Sequence, residues 1–116
     1  GGENEYKNIS LIKKICKMID KKIIESTQLK KTFNLSPAAN NYTSDQLIHF
    51  VKDRPGHDRR YSVNIDKIKK LKFKNKVNFN EGIEDTINWY LFNKSWLRNV
   101  KTKNFNNWIN RQYNNR

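Results

Sequence analysis

The sequence has 116 residues, 24 Lys+Arg against 11 Asp+Glu for a formal charge of +13, and 35% hydrophobic residues. That length suits one domain with a modest core. A mean hydropathy of −1.00 leaves such a core little margin over chain entropy, while 12% aromatic residues argue against a chain with no fold. The lone Cys16 excludes an intrachain disulfide and a cysteine metal cluster. No apolar run reaches membrane-span length and no secretory signal is seen, so a soluble cytoplasmic protein is expected.

Asn8 is placed to cap a helix running to about Glu25. Ile9, Ile12, Cys16, Ile19 and Ile23 recur at helical steps, and Leu11, Ile15 and Met18 widen the stripe. Cys16 on that stripe reads as a buried structural thiol. Residues 26–45, rich in Ser, Thr and Asn, predict a long polar surface loop. The apolar run Leu47–Val51 predicts a short strand, and His49 within it a structural histidine. After the turn signal Pro55-Gly56, Tyr61, Val63 and Ile65 alternate briefly. Asn64 is placed to cap a short helix carrying Ile65, Ile68 and Leu71. Asn78-x-x-Glu81 is a capping box that opens another helix. Ile83, Ile87, Tyr90 and Leu91 form its stripe, and Gly82 in its first turn permits close packing. Trp96 follows this helix, and Phe105, Trp108 and Ile109 predict a last short one leading to Tyr113. The expected fold class is α/β, mostly helical with one or two short strands, in a single unit spanning 1–116.

One segment concentrates chemistry. Around the Pro55-Gly56 turn stand Asp53, Arg54, His57, Asp58, Arg59, Arg60 and Tyr61. Arginine offers a planar fork of donors to phosphate oxygens. Histidine adds a donor that can become cationic. Glycine lets a backbone N–H approach an anion. A phosphate or pyrophosphate site fits these residues; so does a polar turn whose Asp53 and Asp58 pair with Arg54, Arg59 and Arg60. There is no glycine-rich dinucleotide loop and no P-loop. With only His49 and His57, no histidine metal cluster can form. Tyr90 and Lys94 match a Tyr-x-x-x-Lys spacing, but Tyr90 falls on a core stripe, so the match reads as chance.

The positive charge allows an alternative, a basic nucleic-acid or polyanion-binding protein. Against it, the basic residues are mostly Lys accompanied by much Asn, a composition that A/T-rich codons alone produce. Lys67, Lys69, Lys70, Lys72, Lys74 and Lys76 interleave with apolar residues as a solvated helix face would. A remnant with no function is a third reading.

FVKDRPGHDRRY, Phe50 to Tyr61, resembles the signature segment of dTDP-glucose 4,6-dehydratases, which are extended short-chain dehydrogenase/reductases. GGENEYKNISLIKKIC, FNEGIEDTINWYLFNKSWLRNV and NWINRQY resemble further stretches of that family in the same order. The resemblance covers nearly the whole chain and takes Gly1 and Gly2 as native residues. It implies the C-terminal substrate-binding part of such an enzyme, with the Rossmann domain absent. In the family NAD takes hydride from C4 of the sugar, water leaves across C5–C6, and the hydride returns to C6. By resemblance Asn8, Asp53, Arg54, Pro55, Gly56, His57 and Tyr113 contact the dTDP-sugar substrate, with Arg54 on the pyrophosphate. NAD and the catalytic residues belong to the missing N-terminal domain, so this piece is expected to bind no cofactor, to be inactive alone and not to form the family's homodimer. Two departures stand out. The loop 26–45 is longer than usual. Lys72, Phe73 and Asn75 replace a Gly, Trp and Pro near Leu71, which weakens the turn chemistry expected there.

Overall fold

Helix α1 (Asn8–Glu25) is the axis of the molecule. The computed structural model describes residues 4–53, 55–58, 60–100, 105, 107, 108 and 111. Lys7, not Asn8, occupies the N-cap position, and no side chain caps this end. Asn8 is the first helical residue and is exposed. The face of α1 turned to the core carries Ile15, Met18, Ile19 and Ile23, while Ile12 is exposed and Cys16 is only half-buried.

The stretch expected to be a loop folds instead. Ser26 accepts a hydrogen bond from Leu29 N at 3.2 Å and opens α2 (Thr27–Thr32). Two 310 turns follow, Ala38–Asn40 and Ser44–Leu47. Leu29 and Ala38 are buried with Ile23, and Phe33 and Ala39 pack beside them. The abundant Ser and Thr here act as helix starts and turn ties rather than as solvent-facing loop. Asp20, buried on α1, accepts Ser44 N at 2.8 Å and Ser44 Oγ at 2.5 Å, which fastens the second 310 turn to the helix.

The core is closed by α4 (Phe79–Phe92), which contributes Ile87 and Leu91. Its start carries the expected capping box: Asn78 accepts from Glu81 N, and the Glu81 side chain accepts from Asn78 N. Tyr90 lies off the core, on an aromatic cluster with Trp89 and with Trp96 of α5 (Lys94–Val100). A Cβ built on Gly82 would meet only Val77 Cγ1 at 3.6 Å, an ordinary contact, so packing does not demand this glycine. Lys22 Nζ, 2.8 Å from Glu84 Oε1, joins α1 to α4. Tyr6 stacks on Phe79 with ring centroids 4.3 Å apart. Phe105, Asn107, Trp108 and Arg111 are helical, and Ile109 lies outside the described residues.

No strand occurs among the described residues, those of the 48–65 stretch between these parts included. Leu47 ends a 310 turn; Ile48 leaves it with extended angles, φ −78° and ψ 116°. Phe50 and Val51 are exposed, as is His49, so the histidine is not a core residue. An extended segment becomes a strand only when a neighbour takes its backbone N–H and C=O groups, and none does so among the described residues. The segment enters α3 (Asp66–Lys70), where Asn64 accepts from Asp66 N at 2.7 Å. Helix α3 ends in a Schellman turn: Lys72 N donates to Lys69 O at 2.9 Å and Phe73 N to Ile68 O at 3.4 Å. Lys72 holds the left-handed position, φ +58°, where glycine is favoured. The turn survives the loss of glycine and carries its strain. The lysines of this stretch are solvent-exposed, as a solvated face requires.

Candidate functional site

The Pro55-Gly56 turn forms as its sequence dictates. Gly56 takes φ +69°, a left-handed conformation that a side chain would oppose. His57 follows, half-buried, with Nδ1 3.1 Å from Asp53 Oδ1. Asp53 beside Nδ1 orients the ring. The His57 and Tyr61 rings lie 6.2 Å apart.

Two charged residues of the turn have partners among the described residues. Asp53 serves His57, but Arg60 reaches out of the segment and donates to Glu5 Oε2. Ser62 Oγ donates to the other oxygen of the same carboxylate, Glu5 Oε1, at 2.5 Å. These two bonds, from Ser62 first and Arg60 second, hold the Glu5 carboxyl below the usual carboxylate range. Glu5 stands three residues before Asn8, so the turn's exit is tied to the segment that leads into α1. The first turn of α1 has no acidic residue, and its N-terminus keeps the partial positive charge of unpaired amides.

Of the residues singled out, the structure describes Asn8, Asp53, Pro55, Gly56 and His57, and ties the two segments that hold them; Arg54 and Tyr113 lie outside the described residues. Glu5 and Ser62 were not legible as site residues, because their contact joins positions 57 apart and no local spacing signals it. The Tyr90/Lys94 spacing makes no pair: Lys94 Nζ donates to Thr32 O at 2.9 Å and lies over the Phe33 ring, while Tyr90 packs on Trp89 and Trp96. Burial, then Asp20 and Asp45, push the Cys16 thiol up, away from the reactive thiolate. No group of metal-ligating side chains occurs among the described residues. No described helix is long and apolar enough to cross a membrane. A cleft of about 1040 Å³ beside α3, lined by Ile65, Lys69, Lys72, Phe73 and Val77, includes none of the expected substrate contacts among its lining residues.

The turn is tied to a helix start, and the curated proteins that match this chain are sugar-nucleotide dehydratases. It is their C-terminal portion that the chain matches. By name they are dTDP-glucose 4,6-dehydratases. The Shigella flexneri protein is 38% identical over 114 residues, covering 97% of this chain and 27% of that protein. An Escherichia coli protein is 41% identical over 101 residues, 86% of this chain and 25% of its own length. A probable dTDP-glucose 4,6-dehydratase of Sinorhizobium fredii is 39% identical over 104 residues, 89% of this chain and 25% of that protein. The chain thus spans about a quarter of the length of these relatives. No family model matches the chain, and no solved structure matches it.

Proposed function

We propose that this chain is the nucleotide-sugar-binding C-terminal part of a dTDP-glucose 4,6-dehydratase and that it grips the nucleotide half of the substrate. The observation that carries the reading is the Pro55–His57 turn tied by Glu5 to the start of α1, in a chain similar over 97% of its length to those dehydratases. The Gly56 conformation opens the backbone to a phosphate, the imidazole of His57 is fixed by Asp53, and the helix end favours negative charge. Asn8, Asp53, Arg54, Pro55, Gly56, His57 and Tyr113 are the proposed substrate contacts, with Arg54 on the pyrophosphate.

The residues of this chain do not fit NAD. The sequence has no glycine-rich loop to cradle a dinucleotide, and the described residues contain no strand from which such a loop would spring. Hydride transfer and dehydration belong, in this reading, to the three quarters of the relatives that this chain does not span. The exposed apolar residues Phe50, Val51, Tyr61 and Val63 are then surface for that part to cover.

Calorimetric titration of the chain with dTDP, at low and at moderate salt, tests the reading. Saturable 1:1 binding that His57→Ala removes is expected. Absence of dTDP binding together with salt-sensitive uptake of poly-dT would overturn it in favour of a polyanion binder.

A further inference from the structure

We propose that Glu5 is the positioning residue of this site: its carboxylate sets the Pro55–His57 turn against the start of α1, so that the turn and Asn8 address one ligand. The inference rests on the half-site reading above and names what holds that half-site in register.

The turn needs an external anchor. Residues 53, 55, 56, 58, 60 and 61 are all exposed, and no strand pairing occurs among the described residues of this stretch. The core of Ile23, Leu29, Ala38, Ile87 and Leu91 includes no residue of this segment. Glu5 supplies an anchor across 55 and 57 residues of sequence, taking Arg60 on one oxygen and Ser62 on the other. Two bonds to the two oxygens of one carboxylate fix an orientation, where a single contact would leave a pivot. The lowering of the Glu5 carboxyl below its ordinary value agrees with the bonds from both partners, Ser62 first and Arg60 second. The arrangement also commits the Arg60 guanidinium to structure, which removes it from the cations that could meet a phosphate.

The test is Glu5→Gln in the 15N-labelled full chain, read by amide NMR and by dTDP titration. Glutamine keeps the shape and one acceptor oxygen but loses the charge. We expect the Gly56, His57 and Ser62 amides to move towards random-coil positions while those of Ile23, Leu29 and Leu91 stay in place. The affinity for dTDP falls about two- to fivefold, the scale of an exposed ion pair. Glu5→Arg alone has the same effect on the turn, and adding Arg60→Glu restores the wild-type pattern. A role in general stability would instead shift the core amides and would not be rescued by the exchange. Gly56 and His57 amides unchanged in Glu5→Gln, or unchanged dTDP affinity where the wild type binds, would overturn the inference. A wild type that binds no dTDP, with the turn still loosened by Glu5→Gln, would remove the half-site reading and leave Glu5 as the anchor of the turn.

Discussion

Residues 8–47 with 79–92 and residues 48–78 draw on similar apolar side chains, yet only the first set builds a core. Ile23 is 2% exposed, Leu29 5% and Ala38 0%, while Phe50 is 88% exposed and Val51 80%. The difference lies in the backbone. A helix closes its own hydrogen bonds and needs a neighbour only for one face. An extended segment needs a neighbour for its backbone as well, and residues 48–65 have none among the described residues.

The comparison is most easily broken by truncating one residue in each half. Ile23→Ala should cost about 2–4 kcal/mol in urea denaturation of the chain, because it removes the most buried large side chain. Phe50→Ala should change the midpoint by less than about 0.5 kcal/mol. A comparable loss for both would mean that residues 48–65 are packed in solution.

Two backbone substitutions sharpen the contrast. Gly82→Ala places its Cβ in an ordinary contact with Val77 inside α4 and should stabilise by about 0.5–1 kcal/mol. Lys72→Gly relieves a left-handed lysine in the Schellman turn and should gain a similar amount locally. Because the two regions share few buried contacts, they should open separately. Gly82→Ala then raises the urea midpoint, while Lys72→Gly slows amide exchange at residues 72 and 73 and leaves the midpoint in place. A raised midpoint for both would show one cooperative unit.

The smallest expected effect is on acid sensitivity. The hydrogen bond from Lys22, and then its charge, lower the Glu84 carboxyl below the usual carboxylate range. A depressed carboxyl contributes stability that is fully present above its unfolded value and lost as pH falls through its folded one. The α1–α4 tie should therefore weaken only below the ordinary carboxylate titration. Glu84→Gln should flatten that part of the stability–pH curve and leave the neutral region little altered, since the pair is exposed.

Much of this molecule was legible residue by residue. The periodicity of α1, the capping box at Asn78 and Glu81, and the Pro55-Gly56 turn follow from local spacing and backbone preference, and all three form where expected. Other expectations failed for physical reasons. Residues 26–45 read as loop because Ser and Thr signal caps and loops alike, and only contact with Ile23 shows which. Leu47–Val51 read as a strand because apolar side chains favour one, but pairing is a tertiary matter.

By itself the sequence determined α1, α3 and α4, the capping box of α4, the residue types gathered at Asp53–Tyr61 and the resemblance to the dehydratases, since each depends on residues close together or on matching strings. Tertiary structure alone decided that Leu29 and Ala38 are core, that Phe50, Val51 and Tyr61 lie open, and that Glu5 meets Arg60 and Ser62. Contacts between distant positions depend on which elements close over one another, and no local pattern encodes that.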